Sequence, residues 1–185
     1  LLDAVRQASH DDSVRVLLIT GEGRAFCAGK DRDDPATPQF VEVLQQLALA
    51  LMQGSKPVVA AVQGWAVGAG LELLLNCDIV VAAEGIDFCL SEARLGLLPA
   101  TIGPYVIRAL GEQASRRYFT TAEKFDAATA KALGFAHDVV PADVLDARVD
   151  AIVAALVANG PAAVKACKRL VQDLASRPID DALRA

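Results

Sequence analysis

KPVVAAVQGWAVGAGLELLLNCDIVVAA, residues 56–83, is the stretch in which the fold is decided. Pro57–Val62 is a short apolar, β-branched run, the pattern of a buried strand. Gly64, Gly68 and Gly70 then free the backbone for tight turns and for close approach to a ligand. Good helix formers resume over Leu71–Asn76, so the predicted order is strand, glycine-rich turn, helix. Such a turn leaves unpaired N–H groups aimed at one spot, reinforced by the positive end of the helix dipole. It can hold an anion, or an oxygen that becomes one during a reaction.

Two familiar glycine motifs are excluded. A dinucleotide fingerprint needs a small residue where Leu73 stands, and a phosphate loop needs Gly-Lys-Ser/Thr, which is absent. Glu72 is the oddity, a carboxylate in the first helical turn among apolar neighbours. Local chemistry leaves two readings open: an acid that complements the dipole, or a functional group.

The 185 residues suffice for one substantial core, and a 54% hydrophobic composition argues against disorder. Gln63, Glu72 and Asn76 interrupt the longest apolar run, so no membrane span is expected. The cysteines (Cys27, Cys77, Cys89, Cys167) form no C-x-x-C pair, and only His10 and His137 accompany them, which argues against zinc. Reduced thiols and a cytoplasmic location are the expectation. A net charge of −5 without a basic stripe argues against nucleic acid as a partner but leaves room for a small anionic ligand. The first residues, Leu-Leu-Asp, read as the start of a fragment, so a leader is left open.

In chain order, Leu1–Ser9 reads as a helix tail and Val14–Thr20 as a strand covered on both faces. Arg24–Asp31 reads as a glycine-containing loop, and Asp31–Pro38 as an exposed, mobile one. Phe40, Val43, Leu44, Leu47 and Leu51 give Phe40–Met52 helical spacing. Strands are expected at Ile79–Ala83 and Asp87–Leu90, and a helix from Pro104 to Leu110 that Gly111 ends. Glu112–Thr120 and Ala127–Leu133 read as helices, His137–Val140 as extended, and Ala142–Ala158 and Pro161–Leu174 as the last helices. No repeat or second-domain boundary is visible.

Three blocks together resemble the enoyl-CoA hydratase/isomerase (crotonase) superfamily: RAFCAGKD at 24–31, PVVAAVQGWAVGAGLEL at 57–73 and FCLSEARLGLLPATIGPYVIRALG at 88–111. Weaker similarity covers most of the chain. The resemblance implies an α/β fold, a ββα spiral core over 1–120 without its first strands, and a helical C-terminal region of the same domain over 121–185. It implies a substrate that is an acyl-CoA thioester, no permanently bound cofactor, a place in fatty acid metabolism, and a homotrimer or dimer of trimers, with no membrane partner.

By the same resemblance the thioester carbonyl sits between the backbone N–H groups of Lys30 and Ala69, which stabilise the enolate-like oxyanion. Fixed donors of this kind contribute about 3–4 kcal/mol each. Glu72 matches the family's water-activating glutamate and Glu92 the one that delivers a proton to C2; two carboxylates can hold one water between them. Ala28, Lys30, Asp31, Gly68, Leu95 and Pro99 fall at substrate-contacting positions. Without the motif, Glu92 reads as a surface acid after a strand. Cys27 reads as a small packed residue, Asp31 and Asp78 as loop stabilisers, and His137 as a strand-end residue. Trp65 has two open readings, acyl-pocket wall or core. Arg24, Lys30 and Arg32 read as solvated charge, with CoA phosphates as the alternative.

Lys30 and Ala69 stand where many members carry Ala and Gly, and PATIGPY at 99–105 replaces a common glycine-rich run. That block is closer in look to hydratases of branched or carboxylated acyl-CoAs such as methylglutaconyl-CoA. The N-terminal hairpin and C-terminal extension usual in the family are absent from the sequence. The resemblance therefore implies an enoyl-CoA hydratase-like lyase. The alternatives are an enoyl-CoA isomerase and a non-catalytic protein that binds acyl-CoA or a protein partner.

Overall fold

A computed structural model describes residues 1–31 and 37–175. Helix α1 (Leu2–His10) leads into two short strands, β1 (Leu17–Thr20) and β2 (Ala25–Cys27), and then α2 (Thr37–Gln53). The same strand–strand–helix unit follows in β3 (Val58–Val62), β4 (Trp65–Val67) and α3 (Ala69–Leu75). A third unit comprises β5 (Ile79–Ala83), β6 (Asp87–Cys89), a 3-10 turn at Glu92–Leu95 and α4 (Gly103–Thr121). The chain ends in β7 (Lys124–Asp126), α5 (Ala127–Ala132), β8 (Asp138–Val140), α6 (Leu145–Ala158) and α7 (Pro161–Leu174). Most of the loop expected over 31–38 lies outside the described residues.

Each unit adds one strand to each of two sheets. The first sheet runs β1-β3-β5-β8, all parallel; the second runs β2-β4-β6-β7, with only β7 antiparallel. Parallel strands covered on both faces need near-continuous apolar sequence. VVAAV in β3 is buried at every position, and β5 (IVVAA) at all but its first. The expectation of two covered faces fails at β1, an edge strand whose Leu18 is 47% exposed. The stretches read as one loop at 24–31 and one glycine turn at 64–70 each contain a further strand, β2 and β4.

The core fills with Leu51, Leu71, Leu74 and Phe88 against β3 and β5. Phe88 stacks on Phe125 at 5.6 Å and meets Phe135 edge-on at 5.1 Å. Gly111 breaks α4 as expected, with φ 78° and ψ 166° inside an otherwise helical span.

Helix α7 buries none of its residues fully, so polar ties hold it in place. The Lys168 side chain is 7% exposed. Its Nζ donates to the carbonyls of Leu51 (2.8 Å) and Lys56 (3.1 Å) and to Asp78 Oδ2 (2.7 Å). Asp78 Oδ2 also accepts the Val58 N–H at 2.8 Å, as a loop stabiliser should. Gln172 Nε2 donates to the Met52 carbonyl. Replacing Lys168 with Met strands a half-buried carboxylate and two carbonyls, so we expect a loss of about 2–4 kcal/mol. Urea unfolding midpoints measure it; an unchanged midpoint would mean that apolar contacts alone hold α7.

Candidate active site

The second sheet delivers three chain segments to one place. The segment after β2 brings Ala28, Gly29 and Lys30; the end of β4 brings Gly68 and Ala69; the segment after β6 brings Ser91 and Glu92. Together with α2 and residues 94–102 they line a cavity of about 630 Å³.

Two glycines interlock the first two segments. A Cβ on Gly29, whose φ is +93°, would lie 3.2 Å from the Val67 carbonyl oxygen. A Cβ on Gly70 would lie 2.5 Å from the Cys27 carbonyl oxygen and 2.8 Å from Cys27 Cβ. Only hydrogen at both positions lets the backbones approach this closely. The Lys30 and Ala69 backbones therefore sit on neighbouring segments. The Ala69 N–H makes no hydrogen bond among the described residues. The Lys30 side chain folds back, with Nζ donating to the Asp31 carbonyl at 2.7 Å and lying 6.0 Å from the Phe40 ring centre.

Glu72, in the first turn of α3, is 0% exposed. Neither of its carboxylate oxygens has a hydrogen-bond partner among the described residues, and the buried Oε2 of Glu92 has none either. Glu92 overhangs the segment end, its Oε1 3.3 Å from where a Gly68 Cβ would stand. Burial, with repulsion from Glu92 second, pushes the Glu72 carboxyl up to about 7. Burial likewise pushes Glu92 up, opposed by a hydrogen bond from its own backbone N–H. A carboxyl raised by burial and by a neighbouring carboxylate titrates together with that neighbour, not as an independent group.

This arrangement costs stability with a definite pH sign. The folded chain holds the Glu72 proton up to about 7, whereas the unfolded chain releases it near 4.5. The penalty is absent below the lower value, grows between the two, and is complete above about 7. Glu72→Gln should therefore be more stable than the parent at pH 8, by about 2–3 kcal/mol, and close to equal near pH 4.5. Unfolding midpoints at both pH values test this. Equal gains at the two would mean that ionisation of Glu72 is not what costs stability.

Glu72, Glu92, Ala28, Lys30, Gly68, Ala69, Leu95 and Pro99 all line the one cavity, while Asp31 does not. Arg32 lies outside the described residues, and Arg24 is exposed. Trp65 takes neither of its two readings: it is 46% exposed, away from the cavity, with Lys124 Nζ 5.8 Å from its ring centre. His137 caps a strand end, its Nδ1 accepting the Val80 N–H at 3.0 Å. Val41, Leu97, Leu98 and Ile102 also form cavity wall, with no motif in the sequence to mark them. Phe40, Val43, Leu44, Leu47 and Leu51 fall on one apolar stripe of α2 by their spacing. That stripe divides: Leu47 and Leu51 enter the core, Phe40 and Leu44 line the cavity, and Val43 is 47% exposed.

A family model described as enoyl-CoA hydratase/isomerase matches residues 1–185. The 2,3-dehydroadipyl-CoA hydratase of Escherichia coli is 33% identical over 177 residues, covering 93% of this chain and 69% of its own length. A putative enoyl-CoA hydratase of Thermus thermophilus is 31% identical over 193 residues, covering all of this chain and 76% of its own. An enoyl-CoA hydratase/isomerase family protein from Silicibacter pomeroyi superposes with a TM-score of 0.93 at 32% identity, over 98% of this chain and 80% of its own.

Proposed function

The chain belongs to the enoyl-CoA hydratase/isomerase family, and from that premise we propose that it is a hydratase adding water across the double bond of a 2-enoyl-CoA. The observation that carries this reading is the fully buried, unpartnered carboxylate of Glu72 on one cavity wall with the half-buried Glu92, whose Oε2 is also unpartnered, and with the Ala69 N–H. A buried carboxylate without a donor is costly, and a bound water bridging the two would offset that cost.

In this mechanism the thioester oxygen accepts the Lys30 and Ala69 N–H groups. Glu72 takes a proton from the held water as the water oxygen bonds to C3. The displaced π electrons move onto the thioester oxygen, giving an enolate that the two donors stabilise by about 3–4 kcal/mol each. Glu92 then gives its proton to C2 as the carbonyl re-forms. One proton has entered the pair and one has left it, so transfer between Glu72 and Glu92 restores the starting state. Helix α3 is only seven residues long, so the N–H positions matter more here than its dipole. The assignments of Ala28, Lys30, Gly68, Leu95 and Pro99 to substrate contact, the single domain with a spiral core and helical end, and a homotrimer or dimer of trimers belong to the same proposal.

The test is loss of the conjugated thioester absorbance with crotonyl-CoA, then with methylglutaconyl-CoA. 2,3-Dehydroadipyl-CoA joins them because the Escherichia coli relative is named for it. Loss with any of the three supports hydration, and the fastest names the acyl class. Binding of all three without loss would turn the reading to the isomerase or to the non-catalytic protein.

A further inference from the structure

We propose that the groove beneath α7 is a second ligand site, one that takes a phosphate-bearing small molecule. Three neighbouring cavities of about 420, 520 and 490 Å³ share Ser55 and Lys165, where the end of α1, the turn before β3 and α7 meet. Six of the chain's 18 Lys and Arg residues line them: Arg6, Arg15, Lys56, Lys165, Lys168 and Arg169. The only carboxylates in the lining are Asp12 and Asp173. In a chain of net charge −5 this reverses the local balance.

Lys168 is committed to Asp78, and Arg169 lies 3.6 Å from Asp173. Arg6, Arg15, Lys56 and Lys165 make no ion pair among the described residues. Lys56 also faces the neighbouring Asp11 carboxylate, but cations that outnumber the carboxylates of a concave site raise its positive potential, and an anion that enters relieves their repulsion. Pro161 and Ala162, in the first turn of the 14-residue α7, form one wall of the 420 Å³ cavity. The N–H groups of Ala162 and Ala163 have no acceptor among the described residues. Arg15 is anchored at the same end, its Nη2 donating to the Asn159 carbonyl at 2.5 Å, which leaves the rest of its fork for a phosphate oxygen.

The groove lies before the first residues of β1 and β3, whereas the glutamates lie beyond the last residues of β4 and β6. The three groove cavities share no lining residue with the cavity that holds the glutamates. The proposal thus stands apart from the hydratase reading, and failure of either leaves the other untouched.

The experiment titrates the full chain with inorganic phosphate and, in parallel, with ADP, by calorimetry and by thermal unfolding. Sodium chloride at matched ionic strength removes general screening. Phosphate at ten times its dissociation constant should raise the unfolding temperature by about 3–5 °C. Lys165→Gln, on an exposed side chain, should weaken binding about tenfold, and Lys56→Gln/Lys165→Gln should remove it. Crotonyl-CoA turnover by either variant should be unchanged. ADP binding tighter than that of phosphate and lost in the double variant would identify a nucleotide ligand, and equal binding lost in the same variant the free anion; both support the site. An equal rise with chloride, or phosphate binding retained by the double variant, overturns it.

Discussion

Glu72→Gln is expected to lower kcat for hydration by about 10²–10⁴-fold while leaving CoA-ester binding largely intact. Glutamine keeps the volume of a side chain that is fully buried in α3, so the helix and its neighbours stay packed. It cannot accept a proton from water, and it removes the repulsion that acts between Glu72 and Glu92. The variant should be at least as stable as the parent at neutral pH, so lost turnover would not be lost folding. Glu92→Gln should cost a comparable factor, and the double variant little more than either, because groups that serve one proposed proton relay fail together. Decay of thioester absorbance at saturating substrate gives kcat, and calorimetry with a saturated acyl-CoA gives binding. Normal hydration by Glu72→Gln would rule out the two-carboxylate mechanism.

The second large effect needs only one methyl group. Gly70→Ala places a carbon 2.5 Å from the Cys27 carbonyl oxygen, a backbone atom that cannot swing aside. The segments after β2 and at the start of α3 must separate by several tenths of an ångström. Overpacking of this kind costs about 1–3 kcal/mol. The catalytic cost is larger, because those segments carry the two candidate donors for one oxygen. A displacement approaching 1 Å is worth about 10² in rate. We therefore expect kcat to fall about 10²-fold or more, with unfolding midpoints showing the smaller loss. A variant with full activity would mean that the Lys30 and Ala69 backbones need not be neighbours. Gly103→Ala is the control, since a Cβ there meets nothing within 4 Å.

Much of this was legible in the sequence for physical reasons. Val58–Val62 and Ile79–Ala83 are buried by strands on both sides, so their apolar runs announce them. Gly111 and Gly134 take φ values of 78° and 79°, and both stand where a helix is broken or closed. The candidate site was legible because its polar residues sit in short motifs at the ends of strands. Strand β7 (Lys-Phe-Asp) carries a single apolar residue and is fixed by pairing with β6, a contact no local pattern records. The cavity wall was hidden because an apolar face reads alike whether it meets the core or a ligand. The groove under α7 was hidden for a related reason: its cations come from residues 6, 15, 56 and 165–169, which form no stripe until the chain folds.

The spiral also bears on how such a site can change. Successive strands of the second sheet stand about 4.8 Å apart, a spacing fixed by backbone hydrogen bonds and not by side chains. The two candidate donors and the glutamate pair stand at the ends of three adjacent strands of that sheet, so their separation is set by backbone, and only a substitution that forces two backbones apart, as at Gly70, disturbs it. The wall formed by α2 and residues 94–102 belongs to neither sheet. Selection can recut that wall for a new acyl group without moving the ruler against which the reaction is measured.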